Sequence, residues 1–196
     1  MSAGSGSGTA QRQPVILASS SIQRREILAK LGVEFEIVKP GVEELSGGDP
    51  AIEVVENARM KARAVQAPAE ALVIACDTDV ALDGKALGKP AEAAEAREYL
   101  DRMSGRSHQV LSGLVVLQGG EERSGLERTE VVFRELSEAE KDRYVNFGEW
   151  EGRSGGYAIQ TLGSTLVERL EGSVSNVVGL PVGLLAELAP ALFERA

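Results

Sequence analysis

Apolar residues fall into short groups whose spacing switches along the chain between a strand-like and a helix-like period. Val15-Ile16-Leu17-Ala18 is wholly apolar, as in a strand covered on both faces. After Ser19-Ser20-Ser21 the spacing predicts a helix from about Ile22 to Leu31, stopped by Gly32. A second strand follows over Val33 to Val38, then a polar loop over Gly41 to Asp49 and a helix from about Ala51 to Val65. Leu72 to Cys76 reads as another buried strand, leading into Asp77-Thr78-Asp79. Asp83-Gly84, between Val80-Ala81-Leu82 and Lys85-Ala86-Leu87, is a two-residue hairpin signal. Pro90 opens the next helix, at a position where a missing N–H is harmless. Its apolar stripe is Ala93, Ala96, Leu100 and Met103, and Gly105 ends it. His108 to Leu117 and Thr129 to Phe133 predict neighbouring strands across a polar turn. Ser137 and Glu140 form a capping box for a helix through Val145. Phe147 to Gly156 is a Gly-rich loop, Tyr157 to Gln160 and Thr165 to Leu170 read as strands, and Pro181 opens the last helix. Alternating strands and helices with inserted hairpins predict an α/β fold with a mixed, twisted sheet flanked by helices.

Composition narrows the classes. At 196 residues the chain is one domain, residues 14–196, behind a polar tail from Met1 to Gln13 that reads as disordered. The tail lacks the hydrophobic segment of a signal peptide, and the longest apolar runs are strand length, so no membrane partner and a cytoplasmic location are expected. With 1 Cys and 1 His there is neither a disulfide framework nor a Cys/His zinc site. The net charge of −9 argues against a stable nucleic-acid partner, whose affinity rests on many cations. Small anionic substrates remain open, because a few cations converging in a cleft override net charge locally.

Candidate chemistry begins at the strand, Ser-Ser-Ser, helix junction, where Ser19 and Ser21 precede a helix N-terminus able to hold an anion. Arg24 lies in that first turn, and Ile27, Leu28 and Leu31 follow at i+3, i+4 and i+7, which turns its guanidinium inward while Gln23 and Arg25 point elsewhere. Lys61 sits in the same way in an apolar row with Val54, Ala58 and Val65. Snorkelling to the surface is the alternative for either side chain alone. Two inward cations in an acidic chain instead call for an anionic partner such as a polyphosphate. Counting back along the hairpin pairs Thr78 with Lys89, so Lys89 lands at the same end of the ladder as Asp77, although strict pleating puts it on the face of Thr78. A turn Asp beside a surface Lys is the alternative there. Gly152-Arg153-Ser154-Gly155-Gly156 has the spacing of a nucleophile elbow, but a strand rather than a helix is predicted after it and His108 lies upstream. Gly84 to Lys89 is one residue short of a P-loop, with Pro90 where a Ser or Thr would stand. Cys76 reads as core and His108 as a structural hydrogen-bonding residue.

Taken in order, Leu17-Ala-Ser-Ser-Ser-Ile-Gln-Arg-Arg-Glu-Ile-Leu, Asn57-Ala-Arg-Met-Lys-Ala, Cys76-Asp-Thr, Gly88-Lys-Pro, Ser104-Gly-Arg-Ser-His-Gln-Val, Gly155-Gly-Tyr-Ala-Ile-Gln and Asn176-Val-Val-Gly-Leu-Pro form a set. The set resembles the Maf (septum formation inhibitor-like) nucleoside triphosphate pyrophosphatases from about Val15 to Leu188. The resemblance implies an elongated, two-lobed fold of the inosine-triphosphate-pyrophosphatase-like kind, with a central cleft and often a homodimer. It implies hydrolysis of a nucleoside triphosphate between the α- and β-phosphates, giving a monophosphate and pyrophosphate, with a divalent metal cation (Mg²⁺, Mn²⁺ or Co²⁺). On this resemblance Asp77 is the catalytic proton acceptor, Arg24, Lys61 and Lys89 bind phosphate, and Glu44 with Asp77 serves the metal. Ser19 and Ser21 belong to the substrate site, and Thr78 and Gln160 match positions tied to base selection in members favouring dTTP and UTP. The chain departs from the pattern twice. Ser21-Ile22-Gln23-Arg24 stands where Ser-Pro-Arg-Arg is usual, losing the first Arg, which is linked to pyrimidine selectivity, and Thr161 replaces the Gly that commonly follows the Ile-Gln pair. A regulator of septum formation that binds nucleotide or protein without turnover is the competing class.

Overall fold

The structure is a computed structural model that describes residues 13–194. Apart from Gln13, the expected disordered tail lies outside the described residues. In chain order the elements are β1 (Val15–Ala18), α1 (Ile22–Lys30), β2 (Glu36–Val38), α2 (Pro50–Ala64), β3 (Leu72–Leu82), β4 (Lys85–Ala86), α3 (Ala93–Met103), β5 (Ser107–Gln118) and β6 (Glu121–Phe133). Then come α4 (Glu138–Phe147), β7 (Val167–Glu171), α5 (Val174–Val178) and α6 (Val182–Leu188). Short 3₁₀ turns lie at Ser154–Gly156, Leu162–Leu166 and Pro190–Leu192. Among the described residues seven strands form one sheet in the order β2-β1-β3-β5-β6-β7, with β4 paired to β3. The expected mixed α/β sheet is therefore present, parallel over β2, β1 and β3 and antiparallel from β3 through β7.

One break in this sheet places everything functional. On one side β3 pairs with β5 continuously, from Val73 opposite Leu117 to Ala81 opposite Gln109. On its other side it meets β1 only over Leu72 to Ile74, and β4 only at Ala81 and Leu82. Between them Asp77, Thr78 and Asp79 have, among the described residues, no strand on that edge, so a crevice opens beyond the carboxyl end of β1. This is the position at which open α/β sheets hold ligands.

The two faces of the sheet are covered differently. Odd-numbered residues of β3 face α2, where Val73 and Ala75 pack with Ala58 and Ala62, and Ala81 packs with Val54. The helix sits close because Gly113 on β5 has no side chain: a Cβ there would stand 2.2 Å from the Val54 carbonyl oxygen. Even-numbered residues face the opposite layer, Ile74 and Cys76 with Leu28 and Leu185, Val80 and Leu82 with Tyr99, Phe133 and Tyr144. Asp77 and Thr78 thus point to opposite faces. Among the described residues no helix is long and apolar enough to cross a membrane.

Several boundaries differ from the expectations. The second strand is confined to Glu36–Val38. β6 begins at Glu121 rather than Thr129, because the Arg- and Glu-rich half of the strand is partly exposed and carries no apolar alternation. α3 starts at Ala93, not Pro90; Pro90 is buried beneath Gly156, Ala93 is exposed, and Tyr99 joins Ala96, Leu100 and Met103 in the buried stripe. Residues 157–160 are not a strand: Tyr157 and Ala158 are buried, but in a bend whose hydrogen bonds go to side chains, as when the Ala158 N–H donates to the Tyr144 hydroxyl at 3.0 Å. The strand expected over Thr165 to Leu170 is divided between a 3₁₀ turn and β7. Pro181 caps α6 as expected, whereas α5 ahead of it was not predicted.

Candidate active site

At the end of β1 the chain turns through Ser19 to Ser21 into α1. Ser21 is the N-cap and accepts the Arg24 N–H at 3.4 Å. The Ser19 hydroxyl, buried below the turn, accepts the Ser21 N–H at 3.1 Å and Arg24 Nη1 at 3.3 Å. Arg24 is indeed inward, 8% exposed, with Nε donating to the Gly179 carbonyl at 2.8 Å and Nη2 to Thr78 Oγ1 at 3.1 Å. Thr78 is held in turn by Ser112 at 2.7 Å. All of these acceptors are neutral, and among the described residues no carboxylate pairs with Arg24. A buried cation without a counter-charge requires one from outside the chain.

Lys61 reaches the crevice from the other face. Its ammonium lies 2.6 Å from Asp77 Oδ1 and 2.5 Å from Glu44 Oε1, with the Lys61 and Asp77 side chains nearly buried and Glu44 half exposed. Asn57, one turn before Lys61 on α2, donates to Asp77 Oδ2 at 3.1 Å. The same amide clips the preceding loop, accepting the Leu45 N–H at 2.7 Å and donating to the Leu45 carbonyl at 3.1 Å. It thereby fixes the neighbour of Glu44. Both Asp77 oxygens are thus fixed by donors from α2. Asp79, two residues on and on the same face, is bonded to the Ser154 hydroxyl and accepts the Val80 N–H at 2.8 Å. Burial pushes the Asp79 carboxyl above the usual carboxylate range, with the Ser154 and Val80 bonds opposing.

Together these groups line a cleft of about 1000 Å³, at the upper end of what small-molecule sites occupy. Every site residue named from the sequence lines it. Lys89 reaches it because the hairpin's last backbone bond runs from the Leu87 N–H to the Val80 carbonyl at 2.8 Å: Gly88 then turns at φ +67° and its carbonyl accepts the Gly155 N–H at 2.7 Å. Lys89 and Gln160 are exposed at the lip and have no hydrogen-bond or ion-pair partner among the described residues. Gln23 was expected to point away and does not; the Ser21 hydroxyl donates to its Oε1 at 3.2 Å, and the side chain lines the cleft. Arg25 is exposed as expected.

Sequence reasoning assigned no role to Asn57, Asp79, Ser154 or the Gly179 carbonyl. Asn57 had a signal, since it stands four residues before Lys61 and so shares its face. A backbone carbonyl has none. Ser154 is not placed as a nucleophile, as expected. The Ser154 hydroxyl is spent on Asp79 and the Val80 N–H, and His108 is buried in the core behind the cleft-lining Tyr157, 2.8 Å from its hydroxyl. Cys76 is fully buried, which pushes its thiol up and away from nucleophilic use.

The family model described as "Maf-like protein" matches residues 14–192. This chain belongs to the Maf-like family. Its relatives include a protein named dTTP/UTP pyrophosphatase from Deinococcus radiodurans, 48% identical over 176 residues, spanning 89% of this chain and 90% of that one. Another of the same name, from Pyrococcus furiosus, is 41% identical over 180 residues, spanning 89% and 93%. Among solved structures, a HAM1 protein from Coxiella burnetii aligns over 64% of this chain and 75% of its own, with a TM-score of 0.46 and 17% identity. The Maf-like cleft is thus the break in the sheet beside β3, with its cations delivered by α1 on one face and α2 on the other.

Proposed function

We propose that this Maf-like protein hydrolyses nucleoside triphosphates, pyrimidine nucleotides such as dTTP and UTP among them, between the α- and β-phosphates. The products are a nucleoside monophosphate and pyrophosphate, the output of a house-cleaning enzyme. The observation that carries the reading is the convergence at Asp77: Arg24, held only by neutral acceptors, enters from one face, and Lys61, Asn57 and Asp77 form a bonded set on the other. The names of the relatives support the substrate class.

Arg24 supplies the fixed charge that a triphosphate must meet, and its planar fork orients phosphoryl oxygens as the α1 N-terminus adds N–H donors. Lys61 can exchange a carboxylate contact for a phosphate oxygen without leaving its row on α2. Asp77 accepts the proton of the attacking water, held in position by Asn57 on its second oxygen. Glu44 and Asp77 converge on one point, marked by the Lys61 ammonium, and this two-carboxylate set suits a hard divalent cation that keeps waters and takes phosphate oxygens besides. Mg²⁺, Mn²⁺ or Co²⁺ bound there would neutralise charge on the phosphates. Thr78, beneath Arg24, and Gln160, at the lip, are the candidates for reading the base. A cytoplasmic homodimer is the form this reading takes, and sedimentation velocity of the purified chain reads its assembly.

The test is pyrophosphate release from dTTP, UTP, CTP, modified pyrimidine triphosphates, GTP, 7-methyl-GTP and ITP, each with Mg²⁺ or Mn²⁺. Turnover that favours pyrimidines supports the reading as stated. Equal turnover across the panel keeps the enzyme but assigns the relaxed preference to Gln23. Silence across the panel overturns it and leaves the non-catalytic regulator of septum formation.

A further inference from the structure

The cations already assigned do not balance a triphosphate. Lys61 lies between two carboxylates, so that cluster is net negative, and Arg24 is the one buried cation whose charge is free for a ligand among the described residues. Three more cations line the same cleft, exposed Lys39 just after β2 and, beside the Gly-rich edge, Lys89 and Arg153. Among the described residues Arg153 has no hydrogen-bond or ion-pair partner for its guanidinium, although it is half-buried.

The backbone around Arg153 is fixed. Its N–H donates to the Trp150 carbonyl at 3.1 Å and its carbonyl accepts the Gly156 N–H at 3.0 Å. On one side Gly152 turns at φ +68°. On the other, the Ser154 oxygen accepts the Val80 N–H at 3.0 Å, taking the place of a missing strand neighbour on the open edge of β3, while its hydroxyl bonds Asp79. Gly155 lies so close to β3 that a Cβ would stand 2.7 Å from the Val80 side chain. Its N–H bonds the Gly88 carbonyl, the residue just before Lys89. Two loops are therefore clasped backbone to backbone, each presenting one unpaired cation to the cleft.

We propose that Arg153 is a further substrate-binding residue, which with Lys89 forms the subsite for the β- and γ-phosphates, the part that leaves as pyrophosphate. The proposal rests on the function given above. A guanidinium suits this place because its fork takes two oxygens of one phosphoryl group at once. Its freedom from internal partners means that no ion pair has to break on binding. Ser154 is the positioning residue, acting through the loop and not on the substrate.

The test is calorimetric binding of inorganic pyrophosphate and of UMP to the full chain, for wild type, Arg153→Ala and Arg153→Lys, beside the kinetics of each on UTP. Loss of a charged hydrogen-bonding group predicts pyrophosphate affinity weakened at least tenfold in Arg153→Ala, with UMP affinity within twofold of wild type and an intermediate value for Arg153→Lys. KM for UTP rises in parallel. Unchanged pyrophosphate affinity in Arg153→Ala overturns the subsite, as does an equal loss for UMP, which would put Arg153 at the nucleoside end. The two readings fail separately. A wild-type protein that binds pyrophosphate through Arg153 but turns over no nucleotide defeats the proposed reaction alone, whereas full turnover with unaltered KM in Arg153→Ala defeats only the subsite. Among the described residues the guanidinium has no hydrogen bond or ion pair to lose, and Arg153→Lys retains the charge if the truncation disturbs the loop.

Discussion

Arg24 and Lys61 show two ways of keeping a cation inside a protein, one on neutral acceptors and one between carboxylates. The first favours an anionic ligand, and the second keeps Asp77 and Glu44 apart from each other's charge. Asn57 joins the second set to the loop that carries Glu44. Asn57→Ala removes three hydrogen bonds at once, two to Leu45 and one to Asp77. We expect about 1–3 kcal/mol less stability in urea unfolding, at least tenfold lower turnover, and faster amide exchange over residues 41–49. Unaltered exchange in that loop would count against the clip. Both cations were legible in the sequence because a charge at an apolar helical position is a contradiction that demands a partner. Gln23 was misread because helical spacing gives a direction for Cβ but not the bond from the Ser21 hydroxyl that draws the amide over the helix start.

At the scale of elements, the site depends on α2 resting against the sheet at Gly113. Gly113→Ala puts a Cβ 2.2 Å from the Val54 carbonyl oxygen and 2.5 Å from the Val55 Cα, both backbone atoms that cannot swing aside. We expect a loss of about 3 kcal/mol, a melting point lower by roughly 6–12 °C, and a fall in activity, since α2 carries Asn57 and Lys61. Gly183 is the matched control, exposed in α6, where an added Cβ would meet nothing within 4 Å. Gly183→Ala should stabilise by about 0.5 kcal/mol and leave turnover unchanged. Elements with local signals were read correctly: the Ser137 and Glu140 capping box and the Asp83-Gly84 hairpin are both formed. The polar half of β6 and the bend at 157–160 were not, because each is set by distant partners. β6 is paired residue by residue to β5, and the bend is pinned by Tyr144.

Over the whole molecule, the core around His108 sets a pH dependence of stability. Burial lowers the His108 pKa to about 4, and among the described residues its ring has one hydrogen-bond partner, the Tyr157 hydroxyl, and edge contacts with the Phe133 and Tyr157 rings. The folded protein therefore resists a proton that the unfolded chain accepts below about pH 6.5, so stability falls as pH drops from there to about 4. Asp79 acts with the opposite sign, because its raised carboxyl takes its proton more readily in the folded state. Comparing wild type with His108→Gln isolates the first effect. Between pH 7.5 and 5.0 wild type should lose about 2 kcal/mol more than His108→Gln in urea unfolding, and equal losses would remove His108 from the account. Most strands and helices were readable from periodicity, α5 and the bend at 157–160 excepted, but the break beside β3 was not. It exists because β1 and β4 share one edge of a single long strand without meeting, and no local pattern records where a neighbour stops. That break makes Asp77 the centre of the proposed reaction. The most direct test is to identify the products of UTP and dTTP with Mg²⁺ for wild type and Asp77→Asn, with nucleotide affinity measured alongside. Wild type should give monophosphate and pyrophosphate, and Asp77→Asn should lower turnover at least a thousandfold with binding largely kept. Diphosphate and inorganic phosphate as products, or near-wild-type turnover by Asp77→Asn, would contradict this.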